Sequence, residues 1–294
     1  MNKPLIAIVG PTATGKSQLA VRLAKKFGGE IVSADSWLVR RRLDIGTAKP
    51  SLKIRSQIPH HLIDIIDPDE NFSAAEYKHL AETTINKLYL NGKLPLIVGG
   101  SGLYVDALLY NYSFLPPADI NERRQLNAMS LGQLHTLALK KRLDLSLIDK
   151  RNKRKVIRLI ETNGGIASQS RLRRNSLVIG ITMTRAELSN AISRRVDSML
   201  EKGLEAEVSN LVSDYGWDCE ALKGIGYHEW KLYFENQQSL KLTRERIIKD
   251  TLNLAKRQQT WFKRNKSIHW FTTPVNYKQI DELITSFLNK NITE

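Results

Sequence analysis

A single cysteine, Cys219, is all the sequence contains, which excludes an intrachain disulfide and any zinc cage built on several thiolates. Long apolar runs are missing too: none approaches the roughly 18 to 20 residues that a membrane-spanning helix needs. The apolar stretch Leu5–Val9 is too short for the core of a signal peptide and runs directly into a glycine-rich loop. Together these absences point to a reducing, cytoplasmic setting with no membrane partner. Low-complexity tracts are also lacking, since hydrophobic residues at 41% and charged residues at 26% are ordinary for a globular chain. Acid does not balance base: 45 Lys and Arg face 30 Asp and Glu, leaving a net charge of +15. Such an excess favours a polyanion as partner, and the missing apolar runs favour nucleic acid over a lipid surface. The 294 residues suffice for one large α/β domain carrying an insertion, or for two domains.

What is present begins at the N-terminus. Gly10, Pro11, Thr12, Ala13, Thr14, Gly15, Lys16 and Ser17 match G-x-x-x-x-G-K-[ST] at every fixed position. Roughly one chain in a hundred of this length would show that pattern by chance. The apolar run Leu5–Val9 before it suits a buried parallel strand, and Leu19, Val21, Leu23 and Ala24 after it lie in a helical stretch. Strand, loop, helix is the order a phosphate cradle requires. The two glycines let the backbone wrap closely, while successive N–H groups and the helix start point at phosphate oxygens. Lys16 adds a mobile positive charge, and the Ser17 hydroxyl is a ligand for Mg²⁺. The loop by itself leaves open which phosphate compound it holds.

The strand-like run Glu30–Ser36 delivers Asp35 to its carboxyl end, where open parallel sheets place their ligand crevice. A carboxylate there could hold Mg²⁺ through water or accept a proton from a nucleophile, or it could simply cap a helix. A third run, Leu94–Val98, ends in Gly99-Gly100-Ser101-Gly102, without the aspartate that closes the corresponding strand of common ATPases.

Positive charge is concentrated in the middle of the chain. Residues 121–176 hold 14 Lys and Arg against 4 Asp and Glu, a local excess of +10. Its centre, Lys150 to Ile160, combines basic positions with an apolar helical repeat, as a helix lying on a phosphate backbone would; a solvated helix face is the plain alternative. Pro116-Pro117 just upstream suits the entrance to an inserted helical region. A strand-like pattern returns at Leu177–Ile181, followed by long amphipathic stretches at 185–213 and 239–264. Cations and aromatics mix in Lys256–Arg264, where Trp261 and Phe262 suit core packing as well as they suit base stacking. His60, His61 and His269 lack metal-ligand partners at a recognisable spacing.

Several separated blocks then agree. I-V-G-P-T-A-T-G-K-S at 8–17, S-A-D-S at 33–36, D-I-G-T-A-K-P at 44–50, P-H-H-L-I-D at 59–64 and F-S-A-A-E-Y at 72–77 come first. G-K-L-P-L-I-V-G-G-S-G-L-Y at 92–104, L-P-P-A-D at 115–119, R-R-V-D at 194–197, G-I-G-Y at 224–227 and A-K-R-Q-Q-T-W-F at 255–262 follow. In this order the chain closely resembles the bacterial tRNA dimethylallyltransferases, also called tRNA isopentenyltransferases. The resemblance covers nearly the whole chain and is far more specific than the phosphate loop alone.

That resemblance implies an α/β fold: a P-loop, nucleotide kinase-like parallel sheet flanked by helices, with an inserted helical domain. The implied division is a core of residues 1–115 and 177–294 and a basic tRNA-binding region of residues 116–176. The implied reaction moves a dimethylallyl group from dimethylallyl diphosphate to N6 of the adenosine 3′-adjacent to the tRNA anticodon. By the same resemblance Gly10 to Ser17 hold the diphosphate, Lys16 assists its departure with Mg²⁺ at Ser17, and Asp35 is the base. Ser101 stands where the family usually has Thr and is implied to contact the target nucleotide. Contacts to tRNA are implied for Asp35, Ser36, Trp37, Leu38 and Ser101, for Arg123 after the P-P-A-D block, and for Arg154, Lys155 and Arg158. Where many members read R-Q-V-Y-R-G, this chain has Trp37-Leu38-Val39-Arg40-Arg41-Arg42, and Lys155 replaces an arginine. The expected partners are the tRNA anticodon stem-loop and the allylic diphosphate, with the enzyme a monomer. Two other classes stay open: a small-molecule or nucleoside kinase on the same loop, and a tRNA-binding protein without catalysis.

Overall fold

The computed structural model of the chain describes residues 3–116, 119–168 and 170–290. Pro117 of the expected entrance to the insertion lies outside them. β1 (Leu5–Val9) is buried at all five positions, as a strand covered by helices on both faces must be. β2 (Gly29–Ser33), β3 (His60–His61), β4 (Leu94–Gly99), β5 (Ser176–Thr182) and β6 (Ile268–Thr272) complete a six-stranded sheet in the order β3-β2-β4-β1-β5-β6. Every pairing in it is parallel. Val9 stands opposite Gly99 on one side and Gly180 on the other, so β1 and β4 end level while β5 runs on to Thr182. The chain leaves β1 towards β2 on one side and returns to β5 on the other, which opens a crevice at the carboxyl end of β1.

The helices that cover this sheet are α1 (Lys16–Phe27), α2 (Leu52–Gln57), α3 (Ala74–Leu90) and α4 (Gly102–Leu109) from the first half of the chain. A second group, α5 (Ile120–Ala128), α6 (Leu131–Lys140) and α7 (Lys153–Glu161), belongs to the middle. The last third supplies α8 (Arg185–Glu201), α9 (Leu204–Tyr215), α10 (Lys231–Phe234), α11 (Leu240–Lys263) and α12 (Tyr277–Lys290). The amphipathic stretch 185–213 is thus two helices, parted at Lys202 and Gly203, whereas 239–264 is the single helix α11. α8 starts where Thr184 and Glu187 form a reciprocal capping box, which satisfies two orphan N–H groups of its first turn.

Two clusters contribute to the core of the sheet-bearing part. Ile6, Ile8, Leu19, Leu23 and Ile179 pack with Ile280 and Ile284 of α12. Ile192, Val196, Leu204, Val208, Trp230 and Ile247 join α8, α9 and α11. Burying each such side chain contributes about 1.5–3 kcal/mol, so α8 and α11 are fixed relative to one another. Compact units divide the chain into Met1–Leu109 with Leu172–Glu294, and Tyr110–Arg171. The second unit has its own small core, in which Leu126, Leu134 and Ala138 meet Val156, Ile157, Leu159 and Ile160. No helix among the described residues is long and apolar enough to cross a membrane.

Candidate active site

The crevice at the end of β1 is a cleft of about 600 Å³ whose walls include Thr12 to Ser17, Asp35, Leu38, Arg194, Arg195 and Gln258. A wider groove of about 860 Å³ lies over α1 and α12, but it is a salt-bridged surface. There Asp281 pairs with Arg22 at 2.5 Å and Lys26 at 2.7 Å, and those bonds hold its carboxyl down to about 2. Volume alone therefore does not mark the site.

The phosphate loop is built by close approach. Gly10 has a φ of +137°, and a Cβ there would stand 2.2 Å from the carbonyl oxygen of Ile181 on β5, so no other residue fits. The buried Thr14 hydroxyl donates to the Pro11 carbonyl at 2.8 Å, closing the loop on itself. α1 then begins at Lys16, with Gly15 as its cap and no side-chain cap bond. The first intrahelical bond runs from Leu19 N–H to Gly15 O at 3.2 Å, so the N–H groups of Lys16, Ser17 and Gln18 point out of the helix start towards an anion. One expected donor is engaged elsewhere: Thr12 N–H donates to Gln258 Oε1 at 2.8 Å.

Lys16 and Arg195 make the cleft electropositive at its base. The Lys16 ammonium donates to the Pro11 carbonyl. Burial, and then the nearby Arg195 guanidinium, bring its pKa down to about 7, while Asp35 works in the opposite direction. Arg195 is itself held down by burial and up by Asp35, and its Nη2 donates to Thr47 O at 3.0 Å. Two cations that disfavour each other's charge are ready for an anion that would relieve both.

Asp35 follows β2 on the opposite wall. Its Oδ1 accepts the Trp37 N–H at 2.9 Å, and Ala34 N–H is tied to Val98 O at 2.8 Å. The Ser101 hydroxyl accepts from Ser36 N–H at 3.0 Å and lies 3.2 Å from the Ser36 hydroxyl. Ser101 thus fastens the turn that carries Asp35. At Gly99 a Cβ would lie 2.0 Å from the Ala34 carbonyl oxygen. The glycines that replace an acidic strand end therefore let β4 sit directly against the exit of β2. Leu38 lines the cleft, while the Trp37 ring turns inward onto Gly224, whose added Cβ would be 2.8 Å from it. Arg40, from the same divergent segment, is buried and donates to the carbonyls of Pro68 at 2.9 Å and Glu70 at 2.6 Å.

Arg195 and Gln258 went unassigned in the sequence, although both lie in quoted blocks. Gln258 joins the two halves of the site, since its Nε2 donates to Gly100 O at 3.1 Å while its Oε1 takes the Thr12 N–H. Other blocks prove to be supports. The Glu207 carboxylate accepts from the N–H groups of Asp44, Ile45 and Gly46 at 2.8–3.0 Å and from the Tyr227 hydroxyl at 2.8 Å. That joins the D-I-G-T and G-I-G-Y segments. His61 Nε2 lies 2.7 Å from Glu30 Oε2, which accounts for it without a metal. Trp261 donates to Asp106 at 2.7 Å and carries the Arg264 guanidinium 4.3 Å above its ring.

Within the helical unit the basic residues divide. Arg123 and Arg158 both pair with Glu161, whose side chain is fully buried. Arg158 also donates to Leu115 O at 2.9 Å and Pro116 O at 2.5 Å. Arg154 and Lys155 stand exposed in the first turn of α7, which Asn152 caps.

Known proteins resemble this chain in sequence and in fold. A family model described as IPP transferase matches residues 38–265. The tRNA dimethylallyltransferase of Alkaliphilus oremlandii is 40% identical, over 98% of this chain and 97% of its own. That of Bacillus subtilis is 39% identical over 93% of each. Among solved structures, the tRNA isopentenylpyrophosphate transferase of Bacillus halodurans superposes with a TM-score of 0.77 at 36% identity, covering 99% of this chain and 98% of that one. A eukaryotic dimethylallyltransferase acting on tRNA superposes with a TM-score of 0.80 at 25% identity, covering 95% and 76%.

Proposed function

The chain belongs to the family of tRNA dimethylallyltransferases, prenyltransferases that place a dimethylallyl group on tRNA, and we propose that it carries the group from dimethylallyl diphosphate to N6 of the adenosine 3′-adjacent to the anticodon. The observation that supports this best is one cleft holding an anion cradle with two mutually repelling cations, and a single carboxylate on the facing wall. The relatives do not favour a kinase, and the strand end at Gly99 offers no second acid for one.

The reaction needs three things from these residues. Negative charge grows on the diphosphate as the allylic C1–O bond breaks and its electron pair stays with the oxygen. The N–H groups at the start of α1, Lys16 and Arg195 bind that charge more strongly in the transition state than before it. The adenine amino group is a poor nucleophile because its lone pair is delocalised. As the C1–N6 bond forms, the departing N6 proton passes to the Asp35 carboxylate. Ser101 and the Trp37 N–H keep that carboxylate oriented.

A hydrated Mg²⁺ suits the donor set, since Mg²⁺ keeps several waters and takes substrate phosphate oxygens with few protein ligands. Ser17, at the first turn of α1, would offer it a hydroxyl oxygen in the cleft. Mg²⁺ held there would supply further positive charge beside the leaving diphosphate. The tRNA adenine must leave its stack to reach Asp35, at a cost of a few kcal/mol. Backbone contacts from the basic helical unit offset that cost.

Incubation with labelled dimethylallyl diphosphate and a tRNA bearing adenosine after its anticodon should move label into tRNA. Asp35→Asn should cut the rate by about 10²–10⁴ and leave tRNA retention on a filter unchanged. Absence of transfer by the wild type overturns the reaction, and full activity of the variant overturns Asp35 as the base.

A further inference from the structure

Arg195 serves the leaving diphosphate only if its guanidinium is held in place, and the cleft gives it little to hold. Among the described residues its one hydrogen-bond partner is the Thr47 carbonyl, which its Nη2 reaches at 3.0 Å. Its other N–H donors are left for a ligand, and Thr47 sets the direction in which they point. That residue belongs to a segment closed on itself. Ala48 N–H donates to Ile45 O and Lys49 N–H to Asp44 O, both at 2.9 Å, and the Thr47 hydroxyl donates to Leu43 O. The half-buried Glu207 of α9 holds this segment. Its Oε2 accepts from Asp44 and Ile45 N–H at 2.9 Å and 2.8 Å, and its Oε1 from Gly46 N–H at 3.0 Å. The Tyr227 hydroxyl, donating to Oε1 at 2.8 Å, orients that carboxylate. Burial, then the Glu207 charge, push the Tyr227 pKa well up, so the hydroxyl stays a donor. A Cβ on Gly46 would stand 2.5 Å from the Tyr227 ring, so the ring lies directly on the segment's backbone. All these donors to Glu207 are uncharged, an arrangement that fixes a backbone and neutralises no cation. The other end of the segment is anchored separately, by Lys49 paired with Asp44 at 2.6 Å and Asp64 at 2.5 Å.

Resting on the transferase reading above, we propose that Glu207 is a positioning residue: through the backbone of residues 44–46 it sets the Thr47 carbonyl, and through that carbonyl it aims Arg195 at the diphosphate. Thr47, Arg195, Lys16 and Asp35 line one cleft, and Glu207 is not part of its lining. An arginine side chain carries about 2 kcal/mol of rotamer entropy, which a wandering guanidinium loses on meeting its ligand. Held in advance, it meets the charge growing on the leaving oxygen without reorganisation. Misplacement of a group by about 1 Å costs about a hundredfold in rate, so a change in α9 registers in the chemistry.

The test is a double-mutant cycle on dimethylallyl transfer to tRNA. Glu207→Gln keeps the size of the side chain, but its amide NH₂ faces N–H donors, so at least one N–H of residues 44–46 loses its acceptor. It should lower kcat/KM for dimethylallyl diphosphate by about tenfold to a hundredfold, mainly in kcat, and leave KM for tRNA near the wild-type value. Arg195→Met has already lost whatever Glu207 supplies, so adding Glu207→Gln to it should change kcat/KM by no more than about twofold. Tyr227→Phe removes one bond to the same carboxylate. It should show a smaller fall that also vanishes in the Arg195→Met background, and it carries the cycle if Glu207→Gln fails to fold. Melting followed by circular dichroism shows which variants are folded. A folded Glu207→Gln with wild-type kcat/KM overturns the proposal. So does a fall that multiplies with that of Arg195→Met, the result expected of a structural role that does not pass through Arg195. A wild type that transfers no label overturns the transferase reading itself, and this assignment with it.

Discussion

The cleft and the helical unit both draw on lysine and arginine, and they hold those charges in opposite ways. Among the described residues, neither Lys16 nor Arg195 has a carboxylate at ion-pair distance. They donate instead to the backbone carbonyls of Pro11 and Thr47. Both are half-buried, and burial disfavours the charge on both. In the helical unit Arg123 and Arg158 share the one carboxylate of Glu161, while Arg154 and Lys155 stay in solvent. A count of positive residues does not separate these cases. The informative question is which cations the fold has denied a fixed anion. Under the proposed function such cations in the cleft would meet a diphosphate at short range, and those on the unit's surface a phosphate backbone.

The comparison is broken most sharply at Arg195. Arg195→Met keeps the bulk of the side chain and removes its charge, so kcat/KM for dimethylallyl transfer should fall by about 10²–10³, the scale of losing one donor to a developing oxyanion. Thermal stability should hold or rise, because an unpaired buried charge is costly to the fold. A melting temperature that collapsed along with activity would place Arg195 among the structural arginines.

Lys16 sharpens the comparison through pH. Its pKa in the free protein is about 7, and a bound diphosphate would raise it. Between those two values binding takes up a proton, so diphosphate affinity is flat below about pH 7 and falls above it, by up to about tenfold per pH unit. The folding linkage has its own sign. An unfolded lysine holds its proton up to the ordinary range, so from pH 7 upwards the unfolded chain binds more protons than the folded one. Stability should therefore gain from this group as pH rises above 7. Lys16→Met is the control that removes the ligand's own titration from both profiles. A variant that kept the wild-type pH dependence of diphosphate inhibition would exclude Lys16 as its source.

How much of this could be read beforehand depends on the range of the causes. The phosphate loop was legible because its requirements are local: a tight backbone, a helix start and one lysine within eight residues. Asp35 was legible because it ends an apolar run. The sheet was legible where strands are continuously apolar, as in Leu5–Val9 and Leu177–Ile181. β6 was not, since as an edge strand it has only Ile268 buried, and β3 is two residues long. Arg195 and Gln258 were visible as letters in quoted blocks, but their work depends on α8 and α11 folding over a loop 246 residues away in the case of Gln258. Nothing in the sequence distinguishes Arg123 from Arg154. Their difference comes from Glu161, an ordinary acidic letter that α7 turns into a fully buried anion.

The smallest effect is also the one that tests the helical unit on its own terms. Arg154 and Lys155 are exposed at the start of α7, with Asn152 accepting their backbone N–H groups at 3.1 Å and 3.4 Å. Each should contribute one phosphate contact. Arg154→Ala and Lys155→Ala should each weaken tRNA binding a few-fold and lower the slope of log affinity against log salt by about one, with little change in kcat at saturating tRNA. Arg123→Ala should do the reverse, because its guanidinium neutralises a carboxylate that cannot reach water. It should lower the melting temperature, by about 1–3 kcal/mol of stability lost from a charged hydrogen-bonded pair, and leave the salt slope alone. If Arg123→Ala lowered the slope as much as Arg154→Ala, the pairing with Glu161 would give way to tRNA on binding. The two regions would then hold their arginines alike, both in reserve for phosphate.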